Sequence, residues 1–200
     1  MKLFNVIKLP NIIIIKLSNI FVPWFTEEVA RENQFVEPNF KLGQFFFDKR
    51  TAVVLVDVLD TYQNPCCLCT PRLAQEWMDR GRIVRLLDID RRFQYLPGYR
   101  FYNFKRPTTL HEEFDVIICD PPRFSAAKLK ISVDILTKNI QDQALFILFP
   151  VSRESKLLHA FSDYNLQPTE FPIAHNNVKK EHAHLFKLYG NRPLKSPESS

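Results

Sequence analysis

The sequence predicts an α/β fold in which helices cover both faces of a doubly wound, mostly parallel sheet. Strand-like and helix-like segments alternate from residue 48 to residue 164, as they do in chains built from strand–helix–strand units. Segments 114–119 (FDVIIC) and 144–149 (ALFILF) are apolar throughout. Continuous apolar strands are typical of a parallel sheet that is buried on both sides. At 200 residues and 46% apolar content, the chain can bury one substantial core.

Each element has its own local signal. A helix over 48–62 has apolar residues at helical spacing behind Asp48, which can cap its N-terminus. Pro71 suits the first turn of a second helix, which Gly81 ends. No helix separates the last two strands, so we expect them to be antiparallel neighbours joined by polar loop 174–181. The predicted strands are 66–69, 83–87, 99–104, 114–119, 144–149, 166–171 and 184–189, and the two later helices are 125–140 and 152–164.

The two ends of the chain differ from the domain between them, which we expect over 39–190. Residues 1–38 form an N-terminal extension, in which Pro10, Lys16 and Asn19 interrupt every apolar run. No run approaches the roughly 18 apolar residues of a membrane span, so no membrane partner is expected. The isoleucine run at 12–15 is expected to pair or pack, with membrane attachment as an alternative. The polar tail 191–200 is expected to be flexible.

Charge and cysteine content narrow the class of protein. The 27 basic and 22 acidic residues give a net charge of +5 and a pI near 9.0, which mildly favours an anionic partner such as RNA. Three cysteines within four positions suit no disulfide framework, so we expect a reduced, cytoplasmic protein. The paired spacing of a zinc site is absent, and no metal is expected. The cysteines are Cys66, Cys67, Cys69 and Cys119, and His175, His182 and His184 are expected to be surface groups.

A candidate catalytic motif follows directly on the apolar strand 114–119. It consists of Asp120, Pro121 and Pro122. The two prolines stiffen the backbone and remove two amide donors. The Asp120 carboxylate and the Pro121 carbonyl can therefore form a rigid pair of acceptors that holds the hydrogens of an amine and aims its lone pair. The alternative is an ordinary turn, in which Asp and Pro are common.

Two further acids, Asp88 and Asp90, follow the strand 83–87. An acid at this strand tip of a nucleotide-binding sheet is placed to accept hydrogen bonds from a ribose diol. The alternative is a solvated strand end that pairs with Arg91 or Arg92. Ligands of such sheets lie beyond the carboxyl ends of the strands, so Asp88 and Asp120 are expected to reach one site.

Five short segments in chain order carry a resemblance to a known family. They are QFFF (44–47), CCLCTPRL (66–73), LLDIDRRF (86–93), FYNF (101–104) and DPP (120–122). Together they resemble the N6-adenine methyltransferase-like family, over roughly residues 39 to 189. Its members include a lysine methyltransferase of elongation factor 1-alpha and a zinc-finger rRNA adenine methyltransferase. The resemblance implies a Rossmann-like, seven-stranded class I methyltransferase sheet with its last strand antiparallel, and S-adenosyl-L-methionine as cofactor.

The resemblance also implies roles for particular residues. Asp120, Pro121 and Pro122 would hold the acceptor amine. Arg123 stands where the family usually has an aromatic residue, and Phe124 could supply the missing ring. Asp88 would hold the ribose of the cofactor, with Asp90 as the alternative. Asn103 and Phe104 would lie against the adenine, and Gln44 and Phe45 would close over the methionine end. Thr70 and Pro71 would form the turn that replaces a Gly-rich loop.

The predicted function is N-methylation of an amine on a macromolecule. Adenine N6 in RNA is the first choice of acceptor, because of the basic pI, the stacking-capable Arg123 and the similarity of CCLCTPRL to the rRNA enzyme. One alternative is a lysine of a protein such as a translation factor. Another is a non-catalytic partner protein that retains the fold. The oligomeric state is left open.

Overall fold

The computed structural model describes residues 36–122, 125–176 and 178–194, together with three strands near the N-terminus. The chain divides into two compact units, Met1–Glu37 and Pro38–Ser200. In the first unit three strands pair in antiparallel fashion, so the whole isoleucine run at 12–15 pairs with the first strand and Ile15 also pairs with the third. These strands are β1 (Val6–Leu9), β2 (Ile12–Leu17) and β3 (Ile20–Val22).

The main sheet of the second unit has seven strands in the described residues, in the order β6-β5-β4-β7-β8-β10-β9. All pairs from β6 to β8 are parallel, whereas β10 is antiparallel to both β8 and β9. This topology confirms the predicted fold class, including the antiparallel last strand. The strands are β4 (Pro65–Leu68), β5 (Arg85–Asp88), β6 (Tyr99–Phe101), β7 (Val116–Cys119), β8 (Ala144–Pro150), β9 (Gln167–Pro168) and β10 (Phe186–Gly190).

Four α-helices in the described residues cover the two faces of this sheet. The Asp48 side chain accepts a hydrogen bond from the Thr51 amide at 2.7 Å and so caps the first helix, as predicted. Pro71 opens the second, and Gly81 follows it in a left-handed conformation at φ +80°. The first two helices pack on each other, as do the last two. They are α1 (Lys49–Leu59), α2 (Pro71–Asp79), α3 (Ala126–Leu136) and α4 (Glu154–Ala160).

Several elements are shorter than the sequence pattern predicted. The strand expected over 99–104 ends at Phe101, which leaves Asn103 and Phe104 in the loop that follows. The helix expected over 152–164 is α4 with a 3-10 turn on either side. The second of these turns buries Tyr164, so the apolar periodicity extends past the residue at which the α-helical hydrogen bonding ends.

The predicted domain bounds, 39–190, and the predicted flexibility of the tail remain predictions. The Asn191 side chain accepts from the Leu145 amide at 2.8 Å and donates to the Gln143 carbonyl at 2.8 Å, so the first residue of the predicted tail contacts the sheet. Residues 195–200 lie outside the described residues.

Within the part of the chain that the structure describes, no helix is long and apolar enough to cross a membrane. No group of three metal-ligating side chains occurs there either.

Candidate active site

A cavity of about 390 Å³ opens at the edge of the sheet where the parallel strands end. This volume lies within the roughly 300–1,000 Å³ of small-molecule sites. Carboxyl ends of parallel strands meet at one edge, so residues that follow different strands converge on the cavity. Most of the predicted site residues line it, namely Gln44, Phe45, Asp88, Asn103, Phe104, Asp120, Pro121 and Pro122.

The turn after β4 does not reach the cavity in the way the sequence predicted. Thr70 is buried, with its hydroxyl 3.5 Å from the Ile118 carbonyl, and Pro71 begins α2. Cys69 lines the cavity instead, in a left-handed conformation at φ +59° that a side chain adopts only under strain. Its amide donates to the Leu87 carbonyl at 2.9 Å, which ties the turn to β5. The predicted residues Arg123 and Phe124 lie outside the described residues.

Asp88 and Asp90, the preferred and the alternative residue for the ribose, have different surroundings. Asp88 ends β5, lines the cavity and is 5% exposed, and this burial raises its pKa to about 6. One of its oxygens, Oδ1, accepts from the Asp90 amide at 2.8 Å. Asp90 is not among the lining residues. Burial raises the pKa of Asp90, but hydrogen bonds from Arg92 and Gln44 outweigh this effect and hold it below its usual value.

Gln44 anchors the turn that forms one wall of the cavity. Its Nε2 donates to Oδ2 of Asp90 at 2.8 Å, and its Oε1 accepts from the Asn39 amide at 2.8 Å. The neighbouring Gly43 has a φ of +68°, and a Cβ there would lie only 3.3 Å from Cβ of Pro122. The turn therefore rests directly against the proline motif, and Phe45 follows it along the cavity wall.

The loop after β6 is attached to the tip of β5. The Tyr102 amide donates to the Asp88 carbonyl at 2.9 Å. Oδ1 of Asn103 accepts from the Lys105 amide at 3.0 Å, which closes a short local turn. Phe104 is 6% exposed and lines the cavity. Asn103 and Phe104 are thus brought beside Asp88, as the sequence predicted for two residues of one ligand site.

Asp120 follows β7, and its amide donates to the Leu68 carbonyl at 3.3 Å. Its side chain is 15% exposed. Burial raises the pKa of Asp120, and the contact with His175 partly offsets that rise. Asp120 and Asp88 line the same cavity, so the convergence expected from their places at two strand tips is found.

The expectation that His175 is a surface group is wrong, while His182 and His184 are exposed as predicted. The His175 ring stacks on Phe47 at a centroid distance of 5.5 Å, and its Nε2 lies 3.4 Å from Oδ2 of Asp120.

The backbone places His175 in the site. Residues 46–48 pair with 174–176, as the Asp48 amide donates to the Ala174 carbonyl at 3.0 Å and the Asn176 amide to the Phe46 carbonyl at 2.9 Å. Because β10 is antiparallel to β8, the chain reaches the carboxyl edge of the sheet just before β10 begins. No local pattern in the sequence signals this placement.

A family model described as "Probable N6-adenine methyltransferase" matches residues 38–194. This chain belongs to that family. The match confirms the predicted family. A comparison with curated protein sequences found no match.

Three solved structures are similar to this chain at low sequence identity, and the first of them shares its fold. The first is a branched-chain polyamine synthase C9 mutein from Thermus thermophilus in complex with N4-aminopropylspermidine and 5'-methylthioadenosine, with 12% sequence identity and a TM-score of 0.52. The match covers 86% of this chain and 66% of the synthase, so this chain spans just under two thirds of the synthase. A TehB-like SAM-dependent methyltransferase from Corynebacterium glutamicum is 14% identical with a TM-score of 0.47, covering 70% and 85%. The T. thermophilus 16S rRNA N2 G1207 methyltransferase, in complex with AdoMet and guanosine, is 9% identical with a TM-score of 0.42, covering 96% and 47%.

The cavity residues fit the cofactor of the family. A buried carboxylate such as that of Asp88 is costly without donors, and the vicinal hydroxyls of a ribose are donors of the right kind. The buried ring of Phe104 offers an apolar surface for a flat base. Asp88, Asn103, Phe104 and Phe45 are therefore the residues that could hold S-adenosylmethionine.

Proposed function

We propose that this chain transfers a methyl group from S-adenosylmethionine to N6 of adenine in RNA. The observation that carries the proposal is that Asp120, with Pro121 and Pro122 beside it, shares one cavity with the buried Asp88. One carboxylate is thereby available for the ribose of the cofactor and a separate one for the acceptor amine.

On the cofactor side, Asp88 accepts hydrogen bonds from the ribose hydroxyls, and Asn103 and Phe104 hold the adenine. The turn anchored by Gln44 places Phe45 over the methionine end. When bound, the cofactor supplies an electrophilic methyl group on sulfur. The apolar rings and the turn exclude water from this part of the cavity, which strengthens the polar contacts made inside it.

On the acceptor side, the Asp120 carboxylate and the Pro121 carbonyl accept the two hydrogens of a neutral amine. This leaves the nitrogen lone pair free to point at the methyl group, so the acceleration comes from positioning. The transfer is direct, with neither a covalent enzyme intermediate nor a metal. The methylated nitrogen then carries one surplus proton, which Asp120 can accept because burial raises its pKa.

The charge around the cavity supports RNA over a lysine side chain. Among the described lining residues two are acidic, Asp88 and Asp120, and three are basic, Lys41, Lys105 and Arg153. With Asp88 assigned to the ribose, an incoming ammonium group would meet three cations and one carboxylate. RNA phosphates would instead be attracted by the same cations.

We place the reaction in the cytoplasm, where the four free cysteines stay reduced.

The test is to incubate the purified protein with methyl-labelled cofactor, total RNA and total protein from a cell extract. We expect RNase, but not protease, to release the label, and nucleoside analysis by mass spectrometry to identify N6-methyladenosine. Release by protease would support the lysine alternative. Cofactor binding without any transfer would support the non-catalytic alternative.

The matched variants for this test are Asp120→Asn and Asp142→Asn. Asn at 120 keeps the size of the side chain but loses its charge, so transfer should fall by roughly 100-fold or more. The side chain of Asp142 is 90% exposed and pairs with Arg192 at the opposite end of β8 from Pro150, so its replacement should leave transfer unchanged. Equal activity of the Asp120→Asn variant and the wild type would contradict the proposed role of Asp120.

A further inference from the structure

His175 presents a buried polar atom that the described fold does not satisfy. Its side chain is 2% exposed, and Nε2 has no hydrogen-bond partner among the described residues. The nearest acidic group is Asp120, whose Oδ2 lies 3.4 Å from Nε2, a contact that does not meet the geometry of a hydrogen bond. Burying a polar atom without a partner destabilises the folded state, so a histidine at this position needs a reason.

Packing alone does not supply that reason. The imidazole is surrounded by aromatic rings: it stacks on Phe47, and Phe45 and Phe186 meet it edge-on at 6.3 Å and 5.5 Å. A phenylalanine at this position would fill the same space and leave no polar atom unsatisfied. What the imidazole adds is Nε2, which faces the carboxylate of the amine-holding motif.

We propose that His175 is a positioning residue that acts through Asp120, an inference that rests on the proposed function. Nε2–H donates to Oδ2 of Asp120 and holds the carboxylate in one rotamer. Oδ1 is then left to accept a hydrogen of the acceptor amine. The contact of 3.4 Å shortens to a hydrogen bond when the amine binds, because hydrogen bonds within catalytic sites often tighten only in the substrate complex.

The backbone around His175 supports a positioning role. The strand-like pairing of 46–48 with 174–176 holds the imidazole from one side, and the stack on Phe47 holds it from another. A rigid donor can orient a carboxylate at little entropic cost. Two buried thiols, those of Cys69 and Cys119, also interact with Asp120, and burial raises the pKa of both well above the usual range, so both stay neutral. Among the described residues, His175 is the side chain in contact with Asp120 that can both donate to the carboxylate and lower its pKa.

The experiment compares His175→Phe with His175→Gln. Phe keeps the ring stack but removes the donor, and Gln can place an amide N–H near the position of Nε2. We expect His175→Phe to keep or raise the melting temperature and to keep the affinity for the cofactor, while kcat falls roughly 10- to 100-fold, the effect of one lost hydrogen bond to a charged group. His175→Gln should recover much of kcat. A wild-type kcat in His175→Phe would overturn the inference.

A double-mutant cycle with Asp120→Asn separates positioning from a structural effect. If His175 acts through Asp120, then His175→Phe should lower kcat little further once Asp120 has been replaced. Independent effects would multiply, and that result would refute action through Asp120.

A readout without activity distinguishes failure of this inference from failure of the proposed function. Carboxyl NMR of the free enzyme follows the titration of Asp120 in wild type and in His175→Phe. His175 offsets part of the rise that burial causes in the pKa of Asp120, so we expect that pKa to be higher in the variant. An unchanged pKa would count against the coupling even if the wild type methylates RNA. Absence of methyl transfer by the wild type, with a raised pKa in the variant, would instead refute the proposed function and leave the coupling intact.

Discussion

Replacing Asp88 by asparagine should make the protein more stable and at the same time weaken its cofactor binding. Burial raises the pKa of Asp88 from 3.8 to about 6. The folded state therefore binds more protons than the unfolded state, and stability is lost as pH rises from about 4 through about 6. The gap between the two pKa values corresponds to at most about 3 kcal/mol above pH 7. Asparagine keeps an oxygen for the Asp90 amide but carries no charge.

We expect Asp88→Asn to exceed the wild type in free energy of unfolding by about 1–3 kcal/mol at pH 8, with the difference vanishing near pH 4. Urea denaturation at a series of pH values measures this difference. Calorimetric titration with the demethylated cofactor should show affinity weakened roughly 10- to 100-fold, because a charged acceptor is lost. A variant less stable than the wild type at pH 8, or one with unchanged affinity, would refute the reasoning.

Asp90→Asn is the matched control, because Asp90 lies two positions away and its pKa is shifted in the opposite direction. Hydrogen bonds from Arg92 and Gln44 outweigh the effect of burial and lower the pKa of Asp90, so its contribution to stability is present at neutral pH and lost as pH falls below its usual pKa. Its replacement should therefore destabilise the protein at pH 8, by about 1 kcal/mol. If both variants changed stability in the same direction at pH 8, burial of Asp88 would not be the cause.

Three further outcomes are expected. Gly190→Ala should lower the free energy of unfolding by about 1–3 kcal/mol, because its Cβ would lie 2.6 Å from the Phe146 ring, and an unchanged melting temperature would contradict this. Gln44→Leu should weaken cofactor binding and lower the melting temperature, because Asp90 loses a hydrogen-bond donor. Unchanged cofactor affinity in titration calorimetry would contradict this prediction. Lys105→Glu should weaken RNA binding without changing cofactor affinity, and the affinity for RNA should depend less steeply on salt concentration. The same salt dependence in the variant and the wild type would argue against RNA binding beside Lys105.

The strands of the main sheet and most of the predicted residues that line the cavity could be identified from sequence. Apolar runs such as 114–119 mark strands that are buried on both faces, and Asp88 and Asp120 could be assigned to strand tips because each directly follows such a run. Element ends were less predictable. The strand over 99–104 stops at Phe101, because its partner β5 ends at Asp88, which pairs with Phe101.

By itself the sequence determined the α/β class, the family and the pairing of Asp120 with two prolines, because these depend on residue types and their spacing along short segments. The tertiary structure decided that Asp88 rather than Asp90 lines the cavity, that Cys69 replaces Thr70 there, and that His175 is buried against Asp120. These outcomes depend on contacts such as the pairing of 46–48 with 174–176, which joins segments more than a hundred residues apart. Hydrophobic periodicity is a local property and carries no information about which distant segment a side chain will meet.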